Sequence, residues 1–478
     1  MGYIKGEERN QFVMFPDCID EYITEENPVR IIDAFVNGLD LTKLEFTRTN
    51  PKAIGHPSYD PKDMLKLFIY GYMNQVRSSR RLEKEASRNV EVMWLLNKLV
   101  PDFKTIADFR KDNKEALKGV FREFTMLCKS WDLFGKELVA IDGSKFRASN
   151  SKRNNFSSKK LDRSLKYIDE KIAEYLKSLE EGDVLEANEK KLSSEEIKQK
   201  IEELKNRKTA YQTYQEKLKE SGEDELSTID PDARLMGANN KATEVGYNVQ
   251  TAVDGKHKLA VDFEVINSSS DKGQLSEMAL RAKKILDVEK LEVLADKGYY
   301  NAEELEKCES ENITTYVTRQ VFANSTGERE FYQDRFKYDA EKDSYICPMG
   351  HELNRKINKG TKSEKARYQN YEACSKCHFK DKCTTAEKGR QIVRGEYQDF
   401  LDIVDARTAA NKEKYKQRQM IVEHPFGTVK RGMNAGYFLT RGFSSVRAEV
   451  SLSFLAYNLK RVINILGFKG IMERLAMA

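Results

Sequence analysis

The pattern of hydrophobic and polar positions divides the chain into successive kinds of segment. The stretch up to about residue 130 is predicted to be helical, because apolar residues in PKDMLKLFIYGYM fall on one broad face. Strand-like runs begin at Leu138 and alternate with helical patterns. The long amphipathic stretches ANKEKYKQRQMIVEHPFGTVKRG and SSVRAEVSLSFLAYNLKRVINILG predict the last helices. The sequence therefore predicts an α/β core, a mixed sheet flanked by helices, after an all-helical N-terminal domain.

Two insertions are predicted to interrupt that core. In the first, apolar residues recur at steps of four and three, and Ser193 with Glu196 forms a capping box, so an antiparallel helical hairpin is expected. We interpret the hairpin as a solvated spacer, with dimerisation and DNA contact as alternatives. The second insertion is polar and carries cysteines. The predicted segments are 1–130, the helical domain; 135–319 and 395–470, the core; 158–222, the hairpin; and 320–394, the Cys-rich insertion.

The amino-acid composition mainly excludes classes of protein. No run of about 18 apolar residues is present, so no membrane span is expected. The first residues lack an apolar signal core, and a cytoplasmic location is expected. The net charge of +5 is too small to indicate nucleic-acid binding, so any polyanion site must come from local clustering.

One such cluster lies on the N-terminal helices, which carry Arg80, Arg81 and Arg110 beside apolar faces. Short basic helices of this kind suit a helix-turn-helix-like reader of DNA. A helical bundle with a charged exterior explains the same pattern equally well, and the sequence alone leaves both interpretations open.

Two apolar runs end directly in an aspartate. Leu138–Ile141 is followed by Asp142, and the run LEVLA is followed by Asp296. In open α/β sheets, sites form at the carboxyl ends of strands. A third acid, Glu423, is predicted on or beside a helix. Either aspartate alone is also explained as a turn or capping residue, so the hypothesis depends on the combination.

Carboxylates that converge in this way are suited to divalent cations. Mg²⁺ or Mn²⁺ prefers oxygen ligands, and the carboxylates would repel one another without a cation. Two ions about 3.5–4 Å apart activate a water and stabilise a leaving 3′ oxygen. Helical spacing also places Glu423, Gly427 and Lys430 on one face, and Pro425 is expected to kink or restart that helix.

The blocks VAIDGSKF, VLADKGYYN and VEHPFGTVKRG, in this order, resemble the catalytic blocks of bacterial insertion-sequence DDE transposases. The N-terminal stretch GHPSYDPKDMLKLFIYGYMNQVRSSRRLEKEASRN extends the resemblance over nearly the whole chain. It implies an RNase H-like core, a metal-binding triad of Asp142, Asp296 and Glu423, and two metal ions per active site. The implied reaction is water-driven cleavage at the element's terminus, followed by attack of the freed 3′ hydroxyl on target DNA.

The resemblance also implies which residues contact DNA. Related transposases carry a Tyr-Arg-Glu-Lys pattern that Tyr415, Arg418, Glu423 and Lys430 match in type, although the gap between Arg418 and Glu423 is one residue longer. The partners implied are terminal inverted repeats and target DNA, bound by a homodimer at the nucleoid. Five cations are expected to hold phosphates of the DNA: Lys145, Arg147, Lys297, Arg418 and Lys430. The alternative is that they are ordinary surface charges.

Four of the seven cysteines fall in the second insertion. Cys374 and Cys377, in CSKC, have the spacing of a zinc knuckle, and Cys347 with Cys383 would complete a four-sulfur structural zinc site. The insertion is therefore expected to be zinc-ribbon-like. His351 as a competing ligand, free thiols and an iron–sulfur cluster are the alternatives.

Two other functions compete with an active DDE transposase. One is a catalytically inactive, transposase-derived DNA-binding protein, against which the three intact acids argue. The other is a metal-dependent nuclease without strand transfer, which has no need for the end-binding domain that the N-terminal helices suggest.

Overall fold

A computed structural model describes residues 18–50, 57–180, 186–187, 190–191, 193–238, 241–356 and 366–477. Among these residues, six α-helices precede the first strand, and several begin at a side chain that caps backbone N–H groups, such as Asn27, Asp60 and Asp102. These helices are α1 Pro28–Asn37, α2 Pro61–Met73, α3 Ser79–Arg88, α4 Val90–Leu95, α5 Phe103–Asp112 and α6 Lys114–Ser130.

The rest of the described chain contains both strands and α-helices. The strands are β1 Leu138–Arg147, β2 Asn155–Ser157, β3 Glu186–Ala187, β4 Lys190–Lys191, β5 Glu225–Ser227, β6 Arg234–Ala238, β7 Lys241–Asp254, β8 Ala260–Ile266, β9 Leu291–Ala295, β10 Ile313–Val317, β11 Lys337–Asp339, β12 Ser344–Ile346, β13 Glu352–Lys356, β14 Ala366–Gln369 and β15 Gln391–Arg394. The helices are α7 Ser158–Glu180, α8 Ser194–Ser221, α9 Leu275–Leu286, α10 Ala302–Ser310, α11 Tyr371–Ser375, α12 Lys380–Cys383, α13 Gln398–Ala410, α14 Lys412–Gly427 and α15 Phe443–Met477.

The central sheet is mixed, as the sequence predicts. Its strand order is β10-β9-β1-β7-β6, and β8 also pairs with the long strand β7. Strands β10, β9 and β1 are parallel, whereas β7 is antiparallel to β1, β6 and β8. Strands β7 and β8 form a hairpin around the Asp254-Gly255 turn, because β7 ends at Asp254 and the antiparallel β8 begins at Ala260.

Helices cover both faces of this sheet. Val139 and Ile141 of β1 belong to a large hydrophobic cluster that also contains residues of α1, α2, α6, α9 and α15. Ala140, on the opposite face, packs with Ile421 and Val422 of α14. This alternation follows from the pleat of a strand, which sends successive side chains to opposite faces. Helix α14 is thereby fixed directly against the strands that carry the aspartates.

Helices α7 and α8 pack along each other between β2 and β5. A small hydrophobic cluster that includes Phe156, Leu161, Ile168 and Tyr211 joins them. The predicted capping box is confirmed at the start of α8, where the Ser193 side chain accepts from the Glu196 N–H and the Glu196 carboxylate accepts from the Ser193 N–H.

The cysteine-bearing stretch contains its own antiparallel sheet, β11-β12-β13-β14-β15. Its hydrophobic cluster is small and mostly aromatic, with Phe336, Tyr345 and Tyr368 among its buried members. A core of this size supplies little stability by itself.

The helix does not restart at Pro425, as the sequence analysis allowed. Helix α14 continues through Pro425 to Gly427, and a π-helical turn, Thr428–Gly432, follows it. Because the π turn has a wider repeat than an α-helix, it shifts the residues after it out of the α-helical phase. Lys430 therefore does not simply continue the face on which Glu423 lies.

Candidate active site

Asp142 and Asp296 lie next to each other at one edge of the sheet. The parallel register of β1 and β9 aligns Ile141 with Ala295, and each aspartate is the next residue. Asp142 is partly buried. Its pKa is raised to about 7, first by burial and then by the negative charges of Asp296 and Asp271, while Arg418 acts to lower it. The two sequence-predicted aspartates are therefore close enough to interact electrostatically.

The loop after Asp296 has a compact geometry. The Asp296 Oδ1 accepts a hydrogen bond of 2.6 Å from the Gly298 N–H and caps a 3₁₀ turn, Lys297–Tyr299. Tyr299 is fully buried, and its hydroxyl donates to the Gln250 Oε1. The turn thereby anchors Asp296 beside β7.

A third carboxylate, Asp271, reaches the same place and was missed from the sequence. It follows three serines in the connection between β8 and α9. Its Oδ1 accepts hydrogen bonds of 2.7 Å from the Asn248 Nδ2 and from the Gln250 Nε2. A polar residue in a serine-rich turn carries no strand-end signal, so only the fold reveals its position.

A cavity of about 570 Å³ opens onto these acids. Its wall combines negative and positive side chains, a composition suited to a metal ion together with phosphates. The charged residues that line it are Asp142, Lys145, Arg147, Glu244, Asp271, Asp296 and Lys430.

Two cations from the C-terminal part of the chain approach the aspartates. The Arg418 guanidinium lies 3.3 Å from the Asp142 Oδ2. The Lys430 Nζ donates to the Ser144 Oγ at 2.5 Å and to the Lys145 carbonyl at 2.7 Å, and it lies 4.4 Å from the centre of the Phe146 ring. The π-helical turn thus holds Lys430 against β1, in the wall of the cavity.

Glu423 lies elsewhere on α14. Its side chain is exposed, and its Oε1 accepts a hydrogen bond of 2.8 Å from the Gln419 Nε2. It lies five positions after Arg418, which corresponds to about 140° around an α-helix, so the two side chains point in different directions. In the part of the chain that the structure describes, no three His, Cys, Asp or Glu residues are close enough to hold one ion. The triad role of Glu423 stays a prediction.

The other residues predicted to contact DNA have varied surroundings. Lys297 is exposed, whereas Lys145 donates to the Gly237 carbonyl and Arg147 lies 5.7 Å from the centre of the Tyr437 ring. The hydroxyls of Tyr415 and Thr318 are 2.9 Å apart. Their roles in binding DNA stay predictions.

The three N-terminal arginines differ in how exposed they are. Arg80 and Arg81 are exposed on α3, and Arg80 lies over the Phe103 ring. Arg110 lies 5.7 Å from the centre of the Phe68 ring, and its Nη1 is buried. Arg110 is therefore less available to a phosphate than the other two.

The four predicted zinc ligands line a single small cavity, together with His351. All four are unbridged and partly buried. Burial raises the pKa of the Cys383 thiol to about 11, while Arg390 lowers it and the other three cysteines add to the increase. The four thiols are therefore neighbours. In the described residues, however, no three of them are close enough together to hold one metal ion.

The sheet carries acids at adjacent strand ends, and the cavity beside them is lined by cations. Enzymes that transfer phosphoryl groups commonly use such a site. Two family models match the chain: a transposase domain, DUF772, over residues 17–112, and a transposase DDE domain over residues 346–463. Together they support the assignment of this chain to the DDE transposases of insertion sequences. The second match implies an RNase H-like fold and includes Glu423, whereas Asp142 and Asp296 lie outside both matches.

The other comparisons add no relative, because no curated protein and no solved structure matches the chain. The family assignment implies a DNA substrate and an enzyme that cleaves or transposes DNA, and DDE domains generally use divalent metals. Among the described residues, no helix is long and apolar enough to cross a membrane.

Proposed function

We propose that this chain is an active transposase that binds the terminal inverted repeats of its insertion sequence as a homodimer, cleaves the DNA there and joins the freed 3′ end to target DNA. The observation that carries the proposal is the pair of Asp142 and Asp296 at adjacent parallel strand ends, in a cavity lined by cations. In this proposal the protein acts on DNA in the cytoplasm, at the nucleoid.

The residues present fit a divalent ion. Burial and neighbouring negative charge disfavour the ionised form of Asp142, and a bound cation would remove that penalty. Asp142 and Asp296 offer oxygen donors, and Mg²⁺ takes only one or two protein carboxylates in many phosphate sites. Two ions, Mg²⁺ or Mn²⁺, would supply an activated water and neutralise charge on the leaving oxygen. Glu423 is the proposed third ligand.

The cations of the site have separate proposed roles. Lys430 donates to the Ser144 hydroxyl and the Lys145 carbonyl and places a positive charge in the cavity wall, where a phosphate of the bound DNA would lie. Arg418 neutralises Asp142 and carries a planar fork suited to a phosphate. Both groups orient the DNA backbone rather than read its sequence.

Each segment predicted from the sequence has a separate role in the proposed function. Residues 1–130 would bind the element ends through exposed cations such as Arg80 and Arg81, while 135–319 with 395–470 would catalyse the reaction. The insertion at 158–222 would serve as a spacer, and 320–394 would be stabilised by structural zinc.

The proposal is tested with a labelled duplex that carries the element's own terminal repeat, a target plasmid and Mg²⁺. We expect cleavage at the repeat boundary, a free 3′ hydroxyl, and covalent joining of the labelled strand to the plasmid. A duplex with a scrambled repeat is the control. Cleavage without joining would indicate a nuclease, and repeat binding without cleavage would indicate an inactive DNA-binding protein.

A second prediction concerns the cysteine cavity. Purified protein is expected to contain about one zinc per chain, and Cys374→Ser should remove it, because the loss of one thiolate from a four-sulfur site weakens binding and the fold it stabilises. Metal analysis of the purified protein gives the stoichiometry. Cys18→Ser, at an exposed cysteine outside this cavity, is the control and should leave the zinc content unchanged. Metal-free, folded wild-type protein would reject the zinc site.

A further inference from the structure

The connection between β8 and α9 brings a carboxylate to the active-site cavity that the predicted triad does not include. Asp271 is partly buried, lines the cavity, and contributes to the raised pKa of Asp142. Its location is set by the sheet, because the two residues that hold it, Asn248 and Gln250, lie two apart on β7 and so face the same side.

Two buried amides fix the orientation of this carboxylate. The side chains of Asn248 and Gln250 are fully buried, and both donate to the Asp271 Oδ1. Because the Tyr299 hydroxyl donates to the Gln250 Oε1, the Gln250 Nε2 must point toward Asp271. Among the described residues, the interactions of the Asp271 carboxylate involve Oδ1, and Oδ2 remains available.

A second, independent observation is a buried acceptor beside the cavity. The Asn248 Oδ1 has no hydrogen-bond partner in the described part of the chain, although Asn248 is completely buried. It faces Gly143 in the cavity wall, since a Cβ at Gly143 would lie 2.9 Å from it. Orphaned buried acceptors are uncommon and require an explanation, such as a water or ion that supplies the missing partner.

Two glycines leave the space that this arrangement needs. A Cβ at Gly143 would lie 2.3 Å from the Asp271 Oδ1, closer than packed atoms can approach. A Cβ at Gly298 would lie 2.8 Å from the Asp296 Oδ1 and 3.7 Å from the Asp271 Oδ2. The free oxygen of Asp271 and the Asp296 carboxylate therefore approach the same side of Gly298.

We propose that Asp271 is a further metal-binding carboxylate of this cavity, whose Oδ2 holds the hydrated divalent ion beside Asp142 and Asp296. Since this inference rests on the proposed function, it concerns the same ion. Mg²⁺ retains several waters when bound, so a carboxylate beyond direct coordination distance still contributes through a bound water. A cation also explains why these three aspartates share one cavity.

The test is the affinity of the folded protein for Mn²⁺, measured without DNA by the electron paramagnetic resonance signal of free Mn²⁺. In Asp271→Asn, the amide oxygen still accepts from Asn248 and Gln250, so only the charge and the free oxygen are lost. We expect the Mn²⁺ affinity to fall by about tenfold to a hundredfold. The melting temperature of the metal-free protein should be unchanged or higher, because repulsion between carboxylates is relieved.

Two further variants separate the possible outcomes. Glu244→Gln removes a charge from the same cavity, about 13 Å along β7 from Asn248, and should change the affinity less than threefold. Asp142→Asn should abolish the binding. If Asp142→Asn weakens Mn²⁺ binding but Asp271→Asn binds like wild type, or loses only metal-free stability, the role of Asp271 is wrong. If Asp142→Asn binds like wild type, the proposed function itself fails.

Discussion

An Asp142→Asn variant is expected to lose DNA cleavage by about a thousandfold or more while it still binds the element end. The variant removes one of the proposed oxygen ligands of the metal from the cavity wall. A thousandfold loss of rate corresponds to about 4 kcal/mol of transition-state stabilisation. End binding should persist, because it is proposed to depend on exposed arginines of the N-terminal helices. Cleavage of a labelled repeat and a mobility-shift titration measure the two quantities separately.

The stability of the same variant provides its control. Burial is the largest cause of the raised pKa of Asp142, so above pH 7 the folded protein carries a charge that the unfolded chain holds more easily. Removing that charge should leave the metal-free protein at least as stable at pH 8, as measured by its melting temperature.

A matched substitution tests whether any buried aspartate would give the same result. Asp405 is half-buried, and burial raises its pKa as well, but it bonds the Tyr300 hydroxyl outside the cavity. The protein with Asp405→Asn should cleave DNA at close to the wild-type rate. Cleavage by Asp142→Asn within tenfold of wild type would remove Asp142 from the site.

The position of the aspartate pair could be predicted because local pattern determines it. An apolar run that ends in an acid marks both the strand and its carboxyl end, and parallel pairing of β1 and β9 then brings Asp142 and Asp296 together. The sheet, the capping box at Ser193 and the hairpin at Asp254 have comparably local signals. The insertions and domain boundaries remain predictions.

The parts that could not be predicted depend on contacts between distant residues. Asp271 lies in a polar turn, and only the register of β7 places Asn248 and Gln250 beneath it. The path of α14 through Pro425 and the π turn after it depend on packing against β1, which periodicity does not report. The orientation of Glu423 follows from that path, so the sequence pattern does not determine where its side chain points.

The loss of one buried ion pair between distant residues is expected to have the largest effect on the stability of the protein. Arg77, in the loop between α2 and α3, lies 3.0 Å from Glu449 of α15, and both side chains are almost fully buried. Glu449 also accepts from the N–H groups of Leu439 and Thr440. The pair joins the N-terminal helices to the segment that follows Lys430, across 372 positions of sequence.

Arg77→Met is expected to lower the free energy of unfolding by about 3–5 kcal/mol, because it leaves the buried Glu449 carboxylate without its positively charged partner. The chain has two tryptophans, Trp94 and Trp131, both within or next to the N-terminal helices. Tryptophan fluorescence during urea unfolding therefore reports the segment that Arg77 connects to the rest of the protein.

Arg88→Met is the matched control for this prediction. Arg88 pairs with Glu85 on the same helix, but its side chain is 57% exposed, so water already solvates the charge and the loss should stay below about 1 kcal/mol. Equal effects of the two substitutions would show that burial does not set the strength of the Arg77–Glu449 pair. A large effect of Arg77→Met alone would mean that the N-terminal helices depend on α15 for their stability, so that the proposed end-binding and catalytic segments unfold as one unit.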